Sequence, residues 1–189
     1  RPYQRAGYNW LRFLNEYKLG GCLADDMGLG KTIQILCLLL HQKKSPNVNL
    51  PSLLVVPASL LGNWKQEANK FTPSLKLFLL HPSESKKLTL ADLEKSQWLN
   101  HIDCVVTTYS MVTKLNWLSN LSWNLMILDE AQAIKNEGTK QTKAVKALNS
   151  RARIALTGTP IENRLSDLWS LFDFLNPGLL GTAARFKQY

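Results

Sequence analysis

Apolar positions along the chain fall into two kinds of block that alternate. Short, mostly apolar runs at residues 21–24, 53–56, 75–80, 104–107, 125–128 and 153–156 predict strands. Their near lack of polar alternation suits strands buried on both faces. Longer segments with apolar residues three and four apart predict helices over 31–42, 60–71, 90–99, 139–148 and 166–175. Ser166 is placed to cap the last of these, which stops before Pro177-Gly178. Strands and helices in this order imply an α/β fold, a mostly parallel central sheet with helices on both faces. Turn formers at Lys44-Ser45-Pro46-Asn47, Thr72-Pro73-Ser74 and His81-Pro82-Ser83 separate the blocks, and none of them is long enough to be an interdomain linker. Residues 1–189 therefore read as one domain, with a tail after Thr182 that has little pattern.

Composition adds limits. A chain of 189 residues, 45% hydrophobic and 20% charged, can bury one full core. The net charge of +9 favours a polyanionic partner through counterion release, although solubility alone would also account for it. Cys22, Cys37 and Cys104 are far apart with no CxxC pair, which suits reduced thiols and a cytoplasmic protein. His41, His81 and His101 are scattered singly, so no metal site built from Cys and His is expected. The longest apolar run, 35–40, falls far short of the ~20 residues that span a bilayer. The opening Arg1-Pro2-Tyr3-Gln4-Arg5 lacks the apolar stretch of a secretory signal.

The chemistry begins after the first strand. Asp25-Asp26-Met27-Gly28-Leu29-Gly30-Lys31-Thr32 runs directly into an apolar helix, the strand, loop, helix context of a phosphate-binding loop. Gly28 and Gly30 let consecutive N–H groups and the helix N-terminus face phosphates. Lys31 would reach the β- and γ-phosphates, and the Thr32 hydroxyl would ligate magnesium. The usual spacing GxxxxGK[ST] opens on glycine, whereas this chain has Asp25 there. An acid at that point repels phosphate unless its side chain turns away.

A second motif lies about a hundred residues downstream. The apolar run of Asn124-Leu125-Met126-Ile127-Leu128 ends in Asp129-Glu130-Ala131-Gln132. An acid at such a strand end suits Mg2+, and the next carboxylate can orient or deprotonate an attacking water. Neighbouring side chains on a strand point to opposite faces, so the pair must sit where the strand breaks. Alone, two acids before an alanine would read equally well as a helix start. Paired with Lys31-Thr32 in an α/β pattern they point to ATP hydrolysis.

With these residues the chain resembles a superfamily 2 helicase-type ATPase, and further blocks narrow the resemblance to the SNF2 family. Arg1-Pro2-Tyr3-Gln4 with Gly7 and Trp10-Leu11 resembles the opening Q motif, which implies that Gln4 reads adenine. Residues 24–32 resemble the family's own phosphate loop, in which an acid commonly replaces the first glycine. Val55-Val56-Pro57-Ala58-Ser59-Leu60-Leu61 with Asn63-Trp64 and Glu67 is similar to motif Ia, and Val106-Thr107-Thr108-Tyr109 to the Ib region. Leu156-Thr157-Gly158-Thr159-Pro160-Ile161-Glu162-Asn163 resembles motif III. The resemblance implies a first RecA-like lobe that binds ATP and Mg2+ and works on double-stranded DNA with a second lobe of the same protein. Protein–DNA complexes would be its wider targets. It also implies contacts from Ser59, Thr107 and Thr108 to the DNA backbone, and coupling by Gln132 through Thr157, Gly158 and Thr159.

Many members carry histidine where this chain has Gln132, which points to a bacterial or archaeal branch and a nucleoid-associated setting. An amide keeps hydrogen-bond donors and acceptors without a titratable group. Hydroxyls of Ser59, Thr107 and Thr108 suit sequence-independent phosphate contact, the alternative for each being a helix cap or turn. Lys140, Lys143 and Lys146 recur every three residues, a pattern that most often marks a solvated helix face. The tryptophans at 64, 98, 117, 123 and 169 read as core or lobe-interface residues. Arg151, Arg153 and Arg164 read as surface or structural residues, so arginine fingers are expected from the second lobe. Competing readings are an RNA or single-strand helicase, a small-molecule kinase, and a module that only binds nucleotide and DNA. Thr157-Gly158-Thr159-Pro160 disfavours the kinase, and intact Lys31, Asp129 and Glu130 disfavour the inert module.

Overall fold

The computed structural model describes residues 1–45, 49–83, 97–159 and 165–186. Six strands, β1 (Gly21–Leu23), β2 (Ser52–Val56), β3 (Leu77–Leu80), β4 (Cys104–Thr108), β5 (Ser122–Leu128) and β6 (Asn149–Leu156), form one sheet. Every pairing is parallel, and the spatial order is β1-β6-β5-β2-β4-β3. Among the described residues seven α-helices accompany it: α1 (Pro2–Glu16), α2 (Lys31–Lys43), α3 (Leu61–Phe71), α4 (Tyr109–Lys114), α5 (Lys140–Lys146), α6 (Leu165–Leu175) and α7 (Ala183–Phe186).

Strand composition explains the two-sided sheet. Successive residues of β5 alternate between faces, so Leu125 and Ile127 pack with Leu11, Ile35 and Trp64 from α1, α2 and α3. Met126 and Leu128 pack instead with Val112, Val145 and Phe174 from α4, α5 and α6. Helices cover both faces with buried apolar side chains, which is why the strands carry apolar residues on both faces. Among the described residues no helix is long and apolar enough to cross a membrane.

Parallel pairing brings the C-terminal ends of all strands to one edge. The register sets Leu23 beside Leu156, and Leu128 beside Ala155. Loops after β1, β5 and β6 are therefore neighbours at that edge. After β1 the chain leaves for β2, and it returns later to lay β5 and β6 between them. Such a reversal opens the crevice where α/β sheets bind ligands.

Several boundaries differ from the sequence expectation. The pattern gave no helix over Pro2–Glu16, because only Leu11 of α1 is fully buried and its aromatic residues Trp10 and Phe13 face solvent. α4 was hidden in a run that continues β4. β5 and β6 begin earlier than expected, since Asn149, Ser150 and Arg151 are polar residues on a partly exposed strand end. Leu75 is buried in the turn before β3 rather than within it. Ser166 lies inside the first turn of α6 rather than ahead of it as a cap. The helix expected over 90–99, the Pro46-Asn47 turn, the side chain of Trp98, and residues from Pro160 to Arg164 lie outside the described residues wholly or in large part.

Two basic residues prove structural. Arg153 donates from Nη1 to the Phe174 carbonyl (2.9 Å) and from Nη2 to those of Leu148 (2.8 Å) and Lys146 (3.4 Å). It thereby supplies donors to carbonyls that helix ends leave unpaired. Burial lowers its guanidinium pKa, while Asp173 acts in the other direction. Arg153→Met should cost about 2–4 kcal/mol in urea denaturation, because the carbonyls lose a charged donor. Lys146 pairs with Asp173 at 2.8 Å and lies 4.6 Å above the Trp169 ring, so the lysine stripe reduces to exposed Lys140 and Lys143.

Candidate active site

The phosphate loop follows directly from β1. Gly28 and Gly30 take φ of 82° and 81°, the left-handed region open to glycine, and Gly30 immediately precedes α2. A side chain at Gly30 would also strike Gln4. From α1, Gln4 Nε2 donates to the Leu29 carbonyl (3.1 Å), so the expected adenine-reading residue sits directly on the loop. Gln4 also borders a cleft of about 480 Å3 between α1 and α2 that includes Tyr8, Ile33, Gln34 and Cys37.

Lys31 curls into the loop and donates from Nζ to the carbonyls of Asp25 (2.6 Å) and Asp26 (3.3 Å). The Asp25 carboxylate accepts from Gln34 Nε2 at 3.2 Å. That partner lies on α2, so the acid standing in for the first glycine is tied down. Met27 is 82% exposed at the loop tip, and a Cβ on Gly158 would lie 3.7 Å from its Cγ. The phosphate loop and the segment after β6 are thus in contact. Thr32, half-buried in the first turn of α2, completes this side.

The carboxylate pair sits where β5 breaks. The Asp129 N–H still donates to the Val55 carbonyl (2.9 Å), continuing the sheet by one residue. Glu130 then adopts φ 50° and ψ 57°, a left-handed conformation costing a non-glycine residue about 1–3 kcal/mol. This turn frees Glu130 from strand alternation, as the sequence demanded. Asp129 is 8% exposed, and its carboxylate is held by the Trp64 indole N–H to Oδ2 (2.7 Å) and the Glu130 N–H to Oδ1 (3.0 Å). Tyr109 O–H donates to the Asp129 carbonyl at 2.8 Å.

Burial raises the Asp129 pKa above the ordinary carboxylate value; Trp64 offsets this, the Glu130 charge adds to it, and Lys31 lowers it from across the edge. Burial, with Asp129 and Glu130, also pushes the Tyr109 phenol well up. Because Asp129 holds its proton more tightly folded than unfolded, its ionisation opposes folding. This cost is absent below the ordinary carboxylate range and complete once pH has risen through the folded pKa. Stability measured by thermal melts should therefore fall as pH rises through the folded pKa of Asp129, and Asp129→Asn should abolish that pH-dependent component.

A hydrogen-bond chain leads away from Glu130. Its Oε2 accepts from Gln132 Nε2 (2.7 Å), and Gln132 Oε1 accepts from the Thr157 hydroxyl (3.0 Å). Thr157 Oγ1 in turn accepts from the Thr159 N–H (3.0 Å). A carboxylate can only accept, so the amide must present its NH2 to Glu130 and its oxygen to Thr157. Thr157 is 1% exposed, and solvent does not compete. Of the residues expected to couple, Gln132, Thr157 and Thr159 are bonded in series, and Gly158 takes no part in the series.

The expected side-chain contacts of Thr107 and Thr108 with DNA need correction. Thr107 is fully buried and spends its hydroxyl on the Leu80 carbonyl (2.9 Å). Thr108 is 1% exposed and caps α4, accepting from Met111 N–H (3.3 Å) and bonding Ser110 Oγ (3.0 Å). The helix-cap alternative holds for Thr108, and Ser110 is the exposed hydroxyl of that turn. Ser59 is exposed beyond the C-terminal end of β2, as a backbone contact requires.

A family model described as the SNF2-related domain matches residues 3–189, nearly the whole chain. The chain belongs to the SNF2 family. Among SNF2 relatives, Bacillus subtilis YwqA, whose name describes an ATP-dependent helicase/translocase, is 47% identical over 191 aligned positions. The alignment takes in all of this chain and 20% of that protein. The TATA-binding protein-associated factor mot1 of Schizosaccharomyces pombe is 44% identical, again over all of this chain and 10% of that protein. The chain thus spans a fifth or less of the length of these curated relatives. The Sulfolobus solfataricus SWI2/SNF2 ATPase core, solved in complex with dsDNA, superposes with a TM-score of 0.88 at 47% identity. It covers all of this chain, which spans 38% of that one. This SNF2 likeness shows the RecA-like fold.

Sequence reasoning missed three residues of the SNF2 site. Trp64 read as a core residue, yet its indole N–H is spent on Asp129. Tyr109 entered only as the last residue of the Ib-like block, with no role, and Gln34 drew no notice. A buried polar group demands a partner, so a Trp at the start of a strand-following helix and a Gln on an apolar helix were the available signals.

Proposed function

We propose that this chain is the ATP-binding first lobe of a duplex-DNA-dependent motor ATPase, completed by a second RecA-like lobe in the same protein. The observation that carries the reading is the chain of hydrogen bonds from Glu130 through Gln132 to Thr157 and Thr159. A simple nucleotide-binding module has no use for a buried link between a catalytic carboxylate and a segment outside the phosphate site.

The residues fit Mg-ATP. Asp129 is a buried carboxylate with its pKa raised, so a cation beside it would favour the ionised form. Thr32 and Asp129 would hold Mg2+, which supplies charge neutralisation of the phosphates when bound. Gln4 would accept and donate to adenine, residues 25–30 would surround the phosphates, and Lys31 would leave its two carbonyl partners for phosphate oxygens. Glu130 would orient the attacking water and take its proton.

Duplex DNA as the partner is supported by the dsDNA complex of the Sulfolobus core and by the net charge of +9. Protein–DNA complexes as wider targets, and a nucleoid-associated prokaryotic setting suggested by Gln132, belong to the same reading. The test uses the full-length protein. Duplex-stimulated ATP turnover with displacement of a triplex-forming strand, and without separation of the duplex, supports the translocase. Efficient unwinding, or stimulation by RNA or single strands alone, would replace it with the helicase reading.

A further inference from the structure

Gln34 is 2% exposed on a helix whose neighbouring positions Ile35, Leu36, Leu38 and Leu39 are buried apolar residues. Its Nε2 serves both ends of the phosphate loop, donating to Asp25 Oδ2 (3.2 Å) and to the Gly30 carbonyl (3.3 Å). Its Oε1 is buried without a hydrogen-bond partner and occupies the space a Cβ on Gly7 would need. An orphaned buried acceptor opposes folding, so the fold alone would be better served by Leu or Met at this position. Flipping the amide would set its oxygen against a carboxylate and a carbonyl. The orientation therefore serves the loop.

What the loop gains follows from Lys31. Its ammonium lies 2.6 Å from the backbone carbonyl oxygen of Asp25, the residue whose carboxylate Gln34 binds. Released from Gln34, the carboxylate would be free to turn toward the lysine bound to its own backbone carbonyl and to compete there with phosphate. We propose that Gln34 is a positioning residue for ATP binding: it holds the Asp25 carboxylate away from Lys31 and the phosphates, which lets this loop carry an acid where a glycine is usual. This rests on reading Lys31 as the phosphate-binding lysine.

The test is titration of a fluorescent ADP analogue into the full-length protein, with circular-dichroism melts of each variant. Gln34→Met should weaken binding ~10-fold, and adding Asp25→Asn should recover affinity to within about threefold of Asp25→Asn alone. Packing alone would make the two effects independent, so a loss that persists in the double variant overturns the proposal. Wild-type affinity in Gln34→Met also overturns it. Should Gln34→Met not fold, Gln34→Glu replaces the donor with a second acceptor, and the same rescue by Asp25→Asn is required. Lys31→Ala separates the two readings, because full affinity in that variant would refute the phosphate-loop assignment itself, whatever Gln34 does.

Discussion

Glu130→Gln is expected to cut DNA-stimulated ATP turnover of the full-length protein by ~10²–10⁴-fold while leaving nucleotide affinity within about threefold. The amide is isosteric, and its oxygen can still accept from Gln132 Nε2, now at 2.7 Å from Glu130. The left-handed backbone at this residue is flanked by bonds that do not involve its carboxylate, Asp129 N–H to the Val55 carbonyl and Ala133 N–H to the Glu130 carbonyl, so the geometry survives. What disappears is the capacity to take a proton. Single-turnover hydrolysis alongside nucleotide titration measures both quantities. Retention of more than a tenth of wild-type turnover would mean that another group activates the water.

Thr157→Val should give the second-largest effect, and of a different kind. Valine matches the shape of this buried residue but leaves Gln132 Oε1 without its donor and the Thr159 N–H without its acceptor. Each orphaned group costs about 1–3 kcal/mol, enough to let the segment after β6 rearrange independently of Glu130. The expected outcome is a fall of ~10–100-fold in the stimulation by duplex DNA, with turnover in the absence of DNA falling far less. Gln132→Ala should do the same. Because both belong to one chain, the double variant should be no worse than the poorer single. Additive losses would show that the bonds seen in the lobe do not transmit the signal.

The sheet was legible because a parallel strand buried on both faces must be apolar almost throughout, and all six expected strands end within one residue of the observed C-terminal ends. Those ends carry the chemistry, so the phosphate loop and the acid pair were legible too. N-terminal strand ends such as Asn149–Arg151 were not, since they lie at the opposite, solvent-facing edge. α1 escaped notice because Trp10, Phe13 and Tyr17 are exposed, at 42%, 53% and 63%, and blur the apolar stripe. Thr107 shows the limit from the other side. A hydroxyl in a matching motif says nothing about whether the sheet has already used it, and here Leu80 has. Asp25 was the reverse case, a mismatch with the general loop pattern whose carboxylate the fold supplies with a partner in Gln34.

The partnership of Trp64 with Asp129 could not be read from order along the chain, because 65 residues separate them and only the β2–β5 pairing brings α3 over the end of β5. The same holds for Thr157 and Gln132. Hydrogen bonds between loops at one sheet edge are a product of topology, and topology was the part that strand and helix patterns left open.

The most direct test compares ATP hydrolysis by the full-length protein and by residues 1–189 alone, each with and without duplex DNA. Because an arginine supplied from outside the lobe is worth ~10³–10⁵ in related ATPases, the isolated chain should stay near background while the full-length protein responds to duplex. Robust duplex-stimulated turnover by residues 1–189, lost on Lys31→Ala, would contradict the account.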